Sequence, residues 1–406
     1  MVGALHRDLQ TPMPQPNFDE IQRLDRRTGF LGVTRPSIGR DAIAEVADSL
    51  RSGWVIAGPK VRTLEQMLED RLSVPYVRAL AGCSAGLFLG LKLSGVGPGD
   101  EVLLPTLTFA GCANVIEQLG ARPRLIDSEP GTGLIDLDAA ERQTGPQTKA
   151  ILPVHLGGRP LPMDALAALR DRHGIGVVED AAHAIGAAWG GRPVGSHGNL
   201  VSFSFHATKN MTTVEGGALA LQRAEDAERI GRLASQGLSR SSWERHGSAG
   251  PADYDVTEPG YKLSMSDVDA AVGIHQLPEL DRWIDVREAL ARRYDELLAG
   301  LPLELEPPAE PGSRHARHVY AVRVRDDAAV TRDELIERLR AERIGTSIHF
   351  KAVHLLTYYR DRYGLEERAF PVATDWSRRT VSLPLHPTMS TRDQDDVVAA
   401  LGAALA

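Results

Sequence analysis

The feature that most constrains this chain is an alternation of strand and helix patterns through its first half. Helical spacing covers Ser84–Leu93, about Cys112–Leu119 and Met163–His173. Short apolar runs of strand character cover Glu101–Leu104 (stopped by Pro105), Arg122–Ile126, Ala150–Val154, Gly176–Val178, Leu200–Phe205 and Ala218–Gln222. Such alternation predicts an α/β fold with a mostly parallel sheet covered on both faces. Ligands of such sheets sit beyond the carboxyl ends of the strands, and several polar clusters of this sequence fall there.

Upstream, Ile43, Val46 and Leu50 recur at helical spacing over Arg40–Ser52, which ends at Gly53, and a second helix is expected over Val61–Leu72. From about Glu225 to Tyr261 the chain is polar and rich in Gly and Ser, as a long surface excursion would be. Ser266–Leu301 reads as one or two helices. Beyond Pro302, a strand at Val319–Val324 and helices at Thr331–Arg343 and Thr391–Ala404 predict a smaller α+β domain. The expected organisation is an N-terminal arm over 1–30, a large domain over 31–280 and a small C-terminal domain over 281–406.

Composition narrows the function. A net charge of −8 argues against nucleic acid or an anionic membrane surface as a partner. No apolar run approaches the roughly 20 residues of a membrane span, and the N-terminus lacks the basic and apolar regions of a signal peptide. The two cysteines, Cys83 and Cys112, allow neither a disulfide framework nor a cysteine-rich metal site; a cytoplasmic setting is expected, and no metal.

Four segments carry chemistry, in a fixed order. Ala81-Gly82-Cys83-Ser84-Ala85-Gly86 opens an apolar helix, and small residues at a helix start leave backbone N–H groups free for a phosphate. Pro105-Thr106-Leu107-Thr108-Phe109 ends a strand with an aromatic that can stack on a planar ligand. Glu179-Asp180-Ala181-Ala182-His183 ends a buried strand with two carboxylates, and a buried carboxylate requires a partner such as a pyridinium nitrogen. Ser202 to Lys209 brings a lysine out of a strand among hydroxyls, where a desolvated amine can form an imine. Each alone has a blander reading: a helix cap, a core aromatic, an N-cap by Asp180, a solvated lysine.

In combination and order these segments resemble the fold-type-I pyridoxal-phosphate (PLP) superfamily, and within it the DegT/DnrJ-type sugar aminotransferases. Supporting segments run from Ser52-Gly53-Trp54 and Gly58-Pro59 through Pro153-Val154-His155-Leu156 and Gly260-Tyr261 to Ser382-Leu383-Pro384-Leu385-His386, so the resemblance spans nearly the whole chain. It implies a seven-stranded, mostly parallel sheet and PLP held by Lys209 as a Schiff base, with Asp180 on the ring nitrogen and His183 on the ring hydroxyl. It further implies Ser204 and the turn Cys83, Ser84 and Ala85 on the phosphate, and Phe109 against the ring. The family's subunits pair as homodimers with active sites between them, and Lys262 matches the residue that reaches the neighbour's phosphate. The segment around His349 matches a family loop near the substrate, which implies His349 as a substrate contact. The implied reaction is ping-pong transfer of an amino group from an amino acid, L-glutamate, to a nucleotide-linked keto sugar. A 3-dehydratase of the same family would carry His where this chain has Lys209; a non-catalytic regulatory homologue need keep neither Lys209 nor Asp180. Two segments depart from the family's pattern: Ser264 stands where Arg is common, and Gly157-Gly158 where Tyr is common, both where the family accommodates sugar and nucleotide.

Overall fold

The computed structural model describes residues 29–239, 243 and 253–406. The arm expected over 1–30 lies outside them except for its last two residues.

The first half contains strands β1 (Tyr76–Leu80), β2 (Glu101–Pro105), β3 (Arg122–Ile126), β4 (Thr148–Ile151) and β5 (Gly176–Asp180), a short hairpin of β6 (Ala188–Trp189) and β7 (Arg192–Pro193), then β8 (Leu200–Ser204) and β9 (Gly217–Leu221). Seven of them form one sheet in the order β1-β9-β8-β5-β4-β2-β3. Only β9 runs against its neighbours; the other pairings are parallel. The α/β class and the mostly parallel seven-stranded sheet are therefore as the sequence implies. Pro105 ends β2 from inside the strand, where its missing N–H costs little.

Helices α1 (Arg40–Ser52), α2 (Pro59–Leu72), α3 (Cys83–Leu93), α4 (Ala110–Gln118), α5 (Leu137–Gln143), α6 (Met163–His173), α7 (Ala224–Ala234), α8 (Asp267–Gln276) and α9 (Leu280–Leu298) accompany these strands. Helix α3 lies close on the sheet because two of its positions have no side chain. A Cβ on Gly86 would sit 2.2 Å from Ser202 Oγ, and one on Gly90 would sit 2.9 Å from Val178 Cγ1. The helix thus delivers its first turn to the carboxyl end of β8.

Three expectations need correction. Strand β1 was not anticipated; its polar Arg78 interrupts the apolar run. The stretch read as surface excursion begins with α7, which buries Ala227, Ile230, Leu233 and Ala234 while its charged residues face outward. In α1 the apolar spacing marks the outer face: Ile43 and Leu50 are 60% and 59% exposed, and Ala42 and Ser49 are buried instead.

The C-terminal region forms an antiparallel sheet β10 (Leu303–Leu305), β11 (Tyr320–Val324) and β12 (Thr380–Leu383) with α10 (Arg332–Ala341) and α13 (Thr391–Leu405), while α11 (Thr357–Tyr363) and α12 (Pro371–Arg379) reach back to the large sheet. Helix α9 joins two apolar clusters. Its first turns pack Leu280, Trp283 and Ile284 with Phe203, Phe205 and Met265 of the first, and its later turns pack Leu290, Tyr294 and Leu298 with the cluster of β11, β12 and α13. Between them Arg287 is buried and donates to the carbonyls of Arg317, His318 and Leu385. No helix of the described residues is long and apolar enough to cross a membrane.

Candidate active site

Strand alternation separates the two carboxylates that end β5. Glu179 is fully buried and occupied: it meets His155 Nε2 at 2.8 Å and accepts from Asn199 Nδ2 at 2.6 Å. His155 Nδ1 accepts from the Leu161 N–H at 3.1 Å, so the proton sits on Nε2 and is donated to Glu179. That arrangement is closed and structural. Asp180 faces the other way and is also buried. Its Oδ1 accepts from the Ala182 N–H at 2.8 Å, and its Oδ2 accepts from Cys112 Sγ at 2.9 Å. Cys83 Sγ lies 3.7 Å from Oδ1. Burial, reinforced by the charge of Asp180, pushes both thiols well above their ordinary range, so both keep their protons and act as donors.

Lys209 lies in the loop between β8 and β9, its N–H bonded to His206 O at 2.9 Å. The side chain is half-buried. Desolvation lowers its amine from the usual range, and the negative charge of Asp180 partly opposes this. The next residue, Asn210, donates to Ala316 O at 2.7 Å, which fixes its amide and points Oδ1 at His318 Nδ1, 3.2 Å away.

His183 accepts the Gly157 N–H on Nδ1 at 3.2 Å, which leaves its proton on Nε2. Its ring packs on His318 at 4.4 Å and on Phe350 at 5.7 Å, near parallel to the latter. Burial first, then the charges of Lys209 and His349, hold the imidazole neutral. This explains the Gly157-Gly158 departure. Both glycines have positive φ, and a Cβ on Gly158 would stand 2.7 Å from the His183 carbonyl. The pair lets the backbone close against His183.

The turn before α3 has no side-chain cap, which leaves the first N–H groups of Cys83, Ser84 and Ala85 free. Ser204 is buried and pairs in register with Gly217, whose absent Cβ would fall 2.5 Å from Cys83 N. Phe109, at the start of α4, is 62% exposed, with its ring 6.0 Å from Phe350. His349 Nδ1 meets Ser382 Oγ at 2.8 Å; burial, then the charge of Lys209, brings its imidazole down to about 4. Lys262 is exposed, and its side chain makes no hydrogen bond or ion pair among the described residues.

The donor set fits PLP. An uncapped helix start suits the phosphate, a buried carboxylate the ring nitrogen, a neutral histidine Nε2–H the ring oxygen, a desolvated amine the carbonyl, and an exposed aromatic the ring face. Sequence reasoning missed Cys112, His318, Asn210 and Phe350. Cys112 was within reach, since it lies three residues beyond Phe109; nothing local marks His318.

The family model of the DegT/DnrJ/EryC1/StrS aminotransferase family matches residues 36–402. The spore coat polysaccharide biosynthesis protein SpsC of Bacillus subtilis is 42% identical over 380 residues, 93% of this chain and 98% of SpsC. Spr1654 of Streptococcus pneumoniae, solved in PMP, apo and PLP forms, matches in its PMP form with a TM-score of 0.87 at 30% identity, covering 93% of this chain and 99% of that one. Sugar aminotransferase CalS13 from Micromonospora echinospora matches with a TM-score of 0.82 at 29% identity, covering 92% of this chain and 99% of that one.

Proposed function

The chain belongs to the DegT/DnrJ/EryC1/StrS aminotransferase family, and on that premise we propose that it transfers an amino group from L-glutamate to a nucleotide-linked keto sugar in amino-sugar biosynthesis. It is a PLP-dependent sugar aminotransferase. Bound PLP supplies the electron sink for a deprotonated substrate carbon and carries the amino group from donor to acceptor.

The residues divide the remaining work. Lys209 Nζ anchors the cofactor and, once free, takes the proton from the substrate α-carbon and returns it. Loss of solvation supports this role, because a base works best near the ambient pH. Asp180 accepts the ring N–H and keeps that nitrogen protonated. His183 donates Nε2–H to the ring oxygen. The free N–H groups of Cys83, Ser84 and Ala85, with the Ser204 hydroxyl, hold the phosphate, and Phe109 covers the ring. His349 contacts the sugar. The observation that carries the reading is the buried Asp180 carboxylate, held by the Ala182 N–H and the Cys112 thiol at the end of β5, with its charge acting on the desolvated amine of Lys209.

We further propose a cytoplasmic homodimer, with large and small domains over 31–280 and 281–406 and the active sites between subunits. The outward apolar face of α1 supports pairing, and the exposed Lys262 supports its reaching the partner's phosphate. The test is spectroscopic. L-glutamate added to the purified holoenzyme should abolish its visible cofactor absorbance, and one of a panel of 3-keto and 4-keto nucleotide sugars should restore it. Lys209→Ala should keep the fold and lose turnover. No bleaching by any amino donor, or substantial turnover by Lys209→Ala, would overturn the proposal.

A further inference from the structure

The only two cysteines of the chain stand 29 positions apart in sequence, yet both thiols face the same carboxylate. They are not equivalent. Cys83 Sγ is nearer to Ser202 Oγ, at 3.4 Å, than to Asp180 Oδ1, at 3.7 Å. Cys112 Sγ is committed to Asp180 Oδ2 at 2.9 Å. Behind it the Thr108 hydroxyl donates to the sulfur at 3.3 Å. That bond occupies the sulfur as an acceptor and turns its S–H toward Asp180. Thr108, Cys112 and Asp180 are all buried, so water does not compete for these bonds.

We propose that Cys112 is a positioning residue for the cofactor: aligned by Thr108, it holds one oxygen of Asp180 with a weak donor, fixing the carboxylate while leaving its charge free for the ring nitrogen. This rests on the reading of Asp180 as the ring-nitrogen partner. A thiol is among the weakest side-chain donors. An imidazolium or guanidinium in its place would fix Asp180 equally well but would draw charge from the oxygens and weaken their hold on a ring N–H. An apolar residue would leave Asp180 held at Oδ1 alone, by the Ala182 N–H, with Oδ2 unrestrained. The thiol keeps its proton at neutral pH, because burial and the adjacent carboxylate both oppose its ionisation. The same turn supplies Phe109, so one segment sets both the ring face and the carboxylate.

The test compares Cys112→Val, Cys112→Ala, Cys112→Ser, Thr108→Val and Asp180→Asn, reading PLP affinity by equilibrium dialysis and the pH at which the visible band of the holoenzyme titrates. Cys112→Val and Cys112→Ala should bind PLP about five- to tenfold more weakly, the worth of one modest hydrogen bond, and should titrate at a shifted pH. Cys112→Ser restores a donor and should return to within about twofold of the parent affinity. Thr108→Val should move both readouts the same way by less. Wild-type affinity and titration pH in Cys112→Val and Cys112→Ala would overturn the proposal, as would a serine variant as weak as the valine one. If the Cys112 variants do not fold, Thr108→Val decides alone, and no change in it overturns the proposal. Asp180→Asn separates the two readings. If it too leaves PLP affinity and the titration unchanged, the assignment of Asp180 fails; if it is impaired while the Cys112 variants are silent, only the thiol's role fails.

Discussion

Gly217→Ala is a one-carbon test of the phosphate site. The added Cβ would stand 2.5 Å from Cys83 N, 2.5 Å from Gly82 C and 2.6 Å from Phe203 O. All three are backbone atoms, so no rotamer change relieves the contact. Ordinary contact begins at 3.4 Å, and the start of α3 must therefore move off β9 by about 0.9 Å, more than the roughly 0.5 Å range over which an N–H···O bond holds. Overpacking of this kind costs about 1–3 kcal/mol of stability. A donor bonded to a charged acceptor is worth about 1.5–3 kcal/mol, so losing one phosphate contact should weaken PLP binding about 10- to 100-fold. The assay is PLP titration of the apoenzyme, with thermal melting in the presence and absence of PLP. Gly402→Ala is the control: its Cβ meets nothing within 4 Å, and it lies inside α13, where alanine should stabilise by about 0.5–1 kcal/mol. Parent-level PLP affinity in Gly217→Ala would refute the assignment of the Cys83–Ala85 turn to the phosphate.

Two further outcomes concern pH and assembly. His349 is held at about 4 in the folded chain and His318 well below the ordinary histidine range, against about 6.5 when unfolded. The unfolded chain therefore binds more protons between these values, so the stability that depends on neutral histidines is complete above about pH 6.5 and is lost as the pH falls toward 4, by up to about 1.4 kcal/mol per pH unit for each. Melting of the apoenzyme from pH 7 to 4 should show this fall, and His349→Gln should flatten it; parallel curves would contradict the assignment. Ile43→Glu combined with Leu50→Glu places two charges on the exposed face of α1 and should halve the mass measured by light scattering at micromolar concentration. An unchanged mass would mean that this face is not the subunit contact.

Much of the fold was legible because local pattern and tertiary role agree. Arg122–Ile126 and Met163–His173 were bounded correctly, for each has one apolar face or core and clear terminators. Helix α1 shows the limit of periodicity. The spacing of Ile43, Val46 and Leu50 defines a face, but only the placement of Ala42 and Ser49 against the body tells which face is inside. The start of α7 was lost among Glu, Asp and Arg because alanines supply half of its buried stripe. At the site, Lys209, Asp180 and Phe109 lie in recognisable segments. The resemblance singles out Asp180 of the two carboxylates, but the role of Glu179 is legible only in the structure, where His155 and Asn199 occupy it. His318 approaches His183 from 135 positions away, a relation that belongs to topology rather than to any local motif.

Helix α9 has a mechanical consequence. Its 19 residues are shared between two apolar clusters, so turning one against the other would strip apolar side chains from one of them. Arg287 reinforces this midway along the rod. Its three partners are carbonyl oxygens of the peptide chain, which neither titrate nor exchange partners with dissolved salt as a surface carboxylate does. At Arg287 the joint is a weld rather than a hinge, held by bonds that salt does not weaken.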